Sequence, residues 1–283
     1  MRKSIFLLFS IFLQLIAVAQ SSPQNDEIIK VLAIGNSFSE DGIENYLYDL
    51  ALNTDKKMVI GNLYIGGAPL SLHVQNTRKN AKNYEYRKTK LEGEKIIIKD
   101  VGILQALQDE NWDYVSFQQA SPLSGQYNVI MTSLPELIDY VRKNISSETH
   151  FVYHQTWAYQ HDSNHGGFAN YNHDQLTMYK AIADVSKKLS KLGVFKYIIP
   201  AGTAIQNART SSIGDHLTRD GYHLQLDYGR FTAACTWYEK LFQEDVRENS
   251  YKPDKVTELQ AKIAKQAAHQ AVRKPYKISR IKF

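Results

Sequence analysis

The sequence predicts an α/β fold, a doubly wound, mainly parallel five-stranded sheet with helices on both faces. Three observations point to it. Five short runs, residues 28–35, 58–65, 114–118, 150–156 and 195–201, are rich in Val, Ile, Phe and Tyr and nearly apolar throughout. Strands covered on both faces read this way. Helix-like stretches alternate with them, the rhythm of βαβ units. Finally, Gly35-Asn36-Ser37, Gly66-Gly67, Gln118-Gln119 and Trp157 all fall just after strands, on the rim where such sheets bind ligands.

The first strand stops at Gly35. Ser39 is the expected helix cap, with Glu40 and Asp41 favouring the positive end of the dipole, so that Ser37 is left free. Helical periodicity then covers residues 43–52, and after the second strand residues 70–80. Residues 84–91 and 95–99 flank Glu92-Gly93-Glu94, which predicts a β-hairpin inserted before the third strand. Further helices are expected over 103–109, 134–144, 174–192 and 228–242. Lys252-Pro253 marks a stop, followed by an Ala-, Lys- and Gln-rich helix over 256–272 and a short tail.

Residues 1–19 read as a signal peptide, with basic Arg2 and Lys3, an apolar stretch from 5 to 18, and the small-x-small site Ala17-Val18-Ala19. The stretch is shorter than the roughly 20 residues a membrane span needs. The expectation is export, periplasmic or secreted, after cleavage near Ala19, with no stable membrane insertion. One α/β domain over 20–250 follows, with the helix and tail of 251–283 packed on it. Removing Arg2 and Lys3 brings the net charge from +5 to +3, and no Lys/Arg block resembles a nucleic-acid footprint. The single Cys235 cannot form an internal disulfide and reads as a small core residue.

Ser37 and the segment Asp220-Gly-Tyr-His223 carry the chemistry. A serine hydroxyl needs a base to take its proton, and the base needs a carboxylate to hold one tautomer. Asp220 can reach back to the Nδ1 of His223 while Nε2 faces Ser37. The developing negative charge needs preorganised donors, which backbone N–H groups at a glycine turn and a helix start supply. Gly66-Gly67 is such a turn.

With these residues the chain resembles the SGNH or GDSL-like hydrolases. Gly35-Asn36-Ser37 matches their Gly-Asp-Ser-like first block, and Asp220-Gly-Tyr-His223 matches their Asp-x-x-His last block. The resemblance implies a flavodoxin-like fold and a serine esterase with Ser37 as nucleophile, His223 as base and Asp220 as its orienter. It implies an oxyanion hole from the N–H of Ser37, the N–H of Gly66 or Gly67, and a side-chain amide. The family's third block supplies an Asn there; this chain departs from it with Ser116-Phe-Gln-Gln-Ala-Ser121, so that Gln118, or else Gln119, takes the place.

The polar, aromatic loop from Thr156 to His173 sits where substrate binds, and flat aromatics and amides suit sugar rings. Gln119, His154, Trp157 and Tyr159 are the candidate substrate contacts, and an acylated carbohydrate or another small ester is the expected partner. The histidines at 154, 161, 165 and 173 have no metal-site spacing, so no metal or cofactor is expected. The alternatives are a non-catalytic glycan-binding module on the same fold, and a lipase or thioesterase.

Overall fold

The computed structural model describes residues 28–283; the leader reading lies outside the described residues. The strands are β1 Ile28–Gly35, β2 Lys57–Tyr64, β3 Lys82–Thr89, β4 Lys95–Gly102, β5 Tyr114–Phe117, β6 His150–His154 and β7 Phe195–Ile199. The helices are α1 Ser37–Ile43, α2 Leu47–Leu52, α3 Leu70–Lys79, α4 Ile103–Leu107, α5 Tyr127–Met131, α6 Leu134–Lys143, α7 Gln175–Ser190, α8 Ala201–Ala208, α9 Tyr228–Phe242 and α10 Glu258–Arg273. No helix among the described residues is long and apolar enough to cross a membrane.

The sheet has seven strands, not five, in the order β4-β3-β2-β1-β5-β6-β7. The pairs from β2 through β1, β5 and β6 to β7 are parallel, whereas β3 runs antiparallel to β2 and β4 antiparallel to β3. The sheet is therefore mixed. The expected hairpin exists, but it extends the main sheet rather than standing apart from it. An uncovered β2 edge would leave backbone donors and acceptors unpaired. The strand β3 covers that edge and buries Tyr84 and Tyr86 on alternate positions and Thr89 at its end.

β1 shows how the strand period divides the core. Ile29, Val31 and Ala33 pack with Leu47, Leu50, Phe231 and Trp237 on one face. Leu32 and Ile34 pack with Leu70, Val74, Ile103 and Leu137 on the other. A third cluster joins α7, α8 and α10 around Trp157, Tyr159, Met178, Ile205 and Ile263. The single cysteine, Cys235, is free and buried on α9.

Three departures have physical causes. The helix expected over 43–52 is two short helices, because Asn36 starts α1 six residues earlier and Tyr46, at φ 65°, breaks the run. Ser39 does not cap: it lies inside α1, its single hydroxyl proton within reach of two acceptors, Asn36 O at 2.7 Å and Asn62 Oδ1 at 2.9 Å. The last expected strand ends at Ile199 and gives way to α8, a helix buried throughout. A Cβ on Gly202 in α8 would lie 2.0 Å from the carbonyl oxygen of Thr156. Gly202→Ala is therefore expected to lower stability by about 1–3 kcal/mol, read as a shift of the urea midpoint at unchanged slope.

The C-terminal region is tied in by hydrogen bonds. Thr257 and Gln260 form a reciprocal cap at the start of α10, which packs on α8 and α9. In the tail, the carbonyl of Pro275 accepts from Thr203 Oγ1 at 2.7 Å, and Asn207 Oδ1 accepts from Ser279 N at 2.6 Å.

Candidate active site

Register brings the candidate residues together. Gly35 of β1 lies beside Tyr64 of β2, and Ile34 lies beside Phe117 of β5, so the segments that follow these strands emerge side by side. Asn36 caps α1: its Oδ1 accepts from Phe38 N at 3.0 Å. Ser37 is thus the first residue of the helix. Its N–H, like those of Gly66 and Gly67, has no acceptor among the described residues. Its hydroxyl lies 2.8 Å from His223 Nε2.

The imidazole is held from the far side. Asp220 Oδ2 is 2.6 Å from His223 Nδ1, while Oδ1 accepts the backbone N–H of His223 at 2.7 Å and of Tyr222 at 3.2 Å. A carboxylate partner places the ring proton on Nδ1 and leaves the Nε2 lone pair facing the serine. Partial burial would raise the Asp220 carboxyl, but the bonds from His223 and the two N–H groups outweigh it, and its pKa lies below the ordinary value. The turn demands glycine at 221: φ is +90° and a Cβ would meet Ser163 Oγ at 2.9 Å.

One buried carboxylate ties this turn to the nucleophile's helix. Asp41, wholly buried on α1, accepts Leu224 N–H at 2.7 Å, Arg230 Nε at 2.7 Å and Arg219 at 3.1 Å. Arg219 also donates its backbone N–H to His223 O at 2.9 Å and its guanidinium to Leu224 O. Both ends of the segment 219–224 therefore converge on a residue one helical turn from Ser37. From below, Trp157 donates Nε1–H to Tyr222 O at 2.7 Å and stacks on Phe38 with centroids 4.4 Å apart. Such a pair contributes about 0.5–1.5 kcal/mol beyond its buried area.

Several expected contacts lie elsewhere. Gln118 is 2 % exposed and does not line the cleft; its Nε2 donates to Asn36 Oδ1 at 2.7 Å and its Oε1 faces His154 Nδ1 at 2.9 Å. Burial pushes the pKa of His154 down to about 3, so the ring is neutral and donates from Nδ1. Asn36 in turn donates Nδ2–H to Ala68 O at 3.0 Å, at the end of the Gly66-Gly67 turn. His154 and Gln118 thus orient Asn36 rather than touch a ligand. Gln119 Oε1 accepts from Ala120 N at 2.8 Å and Leu70 N at 3.0 Å, again a packing role. Trp157 and Tyr159 are fully buried beneath the loop instead of facing substrate.

The remaining histidines have separate partners: His161 with Asp215 at 2.7 Å, His165 with Gly167 N at 3.0 Å, and His173 with the Phe168 ring at 5.6 Å. Among the described residues, the one group spaced to hold a cation is Glu239, Asp245 and His269. These residues already bond one another, Val246 N and Arg247, far along the chain from the serine.

The serine opens into a cleft of about 300 Å³. Its walls include Gly66, Gly67, Tyr64, Pro122, His165 and Tyr222. Arg87 holds the Tyr64 ring, its guanidinium 3.6 Å over the centroid. A larger groove of about 840 Å³ between α7 and the tail has no nucleophile and base in contact, so the chemistry belongs to the smaller cleft. Sequence reasoning missed Asn36 and Asp41 as positioning groups and His165 and Tyr222 as cleft walls. Asp41 read as an acid favouring the dipole, and only its burial distinguishes it.

A family model described as a domain of unknown function, DUF4886, matches residues 30–271. A crystal structure of a DUF4886 family protein from Bacteroides uniformis is similar at 52% identity and a TM-score of 0.89, covering 90% of this chain and 98% of that one. A structure of a catalytic mutant of Axe2, an acetylxylan esterase from Geobacillus stearothermophilus, is similar at 10% identity and a TM-score of 0.48, covering 76% and 93%. The curated proteins contain no match.

Proposed function

The chain belongs to the DUF4886 family, and we propose that it is an SGNH-type serine ester hydrolase that removes acetyl or other short acyl groups from carbohydrate. The observation that carries this reading is the unbroken contact from Ser37 Oγ to His223 Nε2 at 2.8 Å and from His223 Nδ1 to Asp220 at 2.6 Å. Serine, base and orienter are in hydrogen-bond reach without rearrangement.

In the first half-reaction Ser37 Oγ attacks the ester carbonyl carbon while His223 Nε2 takes the hydroxyl proton. The carbonyl oxygen gains the negative charge, opposite the N–H groups of Ser37 and of Gly66 or Gly67. His223 then gives its proton to the leaving alcohol, and the acyl group stays on Ser37. Water repeats the sequence, releasing the acid and restoring the serine. Asn36 replaces the missing side-chain amide only indirectly, by holding Ala68 and so the glycine turn. A cleft of about 300 Å³ favours a short acyl group over a long lipid tail. Export, with cleavage near Ala19, belongs to the same proposal.

The test is a fluorophosphonate probe, which reacts with an activated serine. One equivalent should attach, mapped by peptide mass to Ser37. Absence of labelling in folded protein would overturn the enzymatic reading in favour of a glycan-binding module.

A further inference from the structure

Resting on the hydrolase reading above, we propose that His165 and Tyr222 form a subsite for the alcohol half of the ester, selecting alcohols that carry a hydroxyl beside the ester oxygen. The argument starts from direction. The leaving oxygen must end beside His223 Nε2, because that nitrogen returns the proton. Whatever flanks the His223 ring therefore flanks the alcohol, whereas the glycine turn flanks the carbonyl oxygen.

Tyr222 flanks it directly and His165 stands against Tyr222, while the buried Phe38 ring lies farther off at 6.1 Å. The Tyr222 ring lies 4.1 Å from the His223 ring, and the His165 ring lies 4.6 Å from Tyr222. Both line the cleft. Tyr222 offers a flat face, as sugar-binding surfaces do. His165 offers a hydrogen bond of known sense. Its Nδ1 accepts the Gly167 N–H at 3.0 Å, so the proton of the neutral ring sits on Nε2. Partial burial, reinforced by His223, lowers the pKa of His165 and favours that neutral form. The Nε2–H has no acceptor among the described residues, and the ring is held against Tyr159 at 4.8 Å. A donor of fixed tautomer on the alcohol side of the cleft matches a hydroxyl oxygen, and an unsubstituted hydrocarbon leaves it unpaired. Discrimination of that kind comes from the cost of an unsatisfied polar group.

The test compares two acetates with wild-type protein, His165→Phe and His165→Gln. One is a monoacetylated methyl xylopyranoside with a free neighbouring hydroxyl; the other is cyclohexyl acetate, of similar size without it. His165→Phe should lower kcat/KM on the sugar acetate about tenfold more than on cyclohexyl acetate. His165→Gln, which keeps an N–H donor, should recover most of the difference. Equal losses on both esters would overturn the subsite. If the variants do not fold, wild-type protein still decides: methyl xylopyranoside should inhibit para-nitrophenyl acetate hydrolysis competitively where cyclohexanol at the same concentration does not. Equal inhibition by both, or none by either, refutes it. Ser37-dependent hydrolysis of para-nitrophenyl acetate separates the two levels. If it is present without discrimination, the subsite alone fails. If it is absent, the hydrolase reading fails too.

Discussion

Ser37→Ala is expected to lower kcat/KM for para-nitrophenyl acetate by about 10⁴-fold or more, the scale on which serine hydrolases lose rate when the nucleophile is removed. That corresponds to about 5 kcal/mol of transition-state stabilisation. The fold should not suffer. The hydroxyl is bonded to His223, at the mouth of the cleft, and alanine is tolerated in the first turn of a helix. Circular dichroism and the urea midpoint should match wild type while steady-state kinetics collapse. A fall of less than tenfold in folded protein would mean that another group attacks the ester.

The second large effect comes from a residue that touches no substrate. Asp41→Ala removes the carboxylate shared by Arg219, Arg230 and the Leu224 N–H. Breaking a buried charge pair costs about 3–5 kcal/mol, because the partner charges lose compensation. The Arg219 side chain is 31% exposed, so water relieves part of this and the low end applies. A loss of about 3 kcal/mol should appear in urea unfolding. Activity should fall further than stability explains, because the segment carrying Asp220 and His223 loses its tie to α1. The measurement is kcat at a temperature where the variant is still folded. A rate within threefold of wild type would show that Trp157 and the turn's own bonds suffice to hold His223.

The architecture was legible in the sequence where periodicity and burial agree. β1 and β5 are short apolar runs whose starts, and nearly whose ends, match expectation, and β7 starts where expected but stops two residues early. The Asp-x-x-His turn was also legible as a local motif, because a spacing of three already defines which of its atoms can meet, whereas its pairing with Ser37, 186 residues away, came through the resemblance. Other partners distant in sequence were not. Gln118 has the right residue type for an oxyanion donor, but its orientation depends on His154, 36 residues away, and on Asn36, 82 residues away. Trp157 and Tyr159 read as exposed because their loop is polar. Phe38 of α1 and Met178 of α7, which help to bury them, come from other segments. The hairpin's place in the main sheet likewise depends on register with β2, which no local pattern encodes.

The outer strand β4 has a consequence for the behaviour of the protein in concentrated solution. It ends the sheet, and it exposes Ile97 at 62% and Ile98 at 43%, features that invite a second copy to add its own edge. Lys95 and Lys99 bracket the apolar triplet Ile96-Ile97-Ile98 at equal distance from its centre. Two such edges aligned antiparallel about Ile97 would set Lys95 of each copy against Lys99 of the other, and like charges directly opposite are repelled. The strand thus carries its own guard against fibril-like stacking, one that weakens as salt screens the lysines.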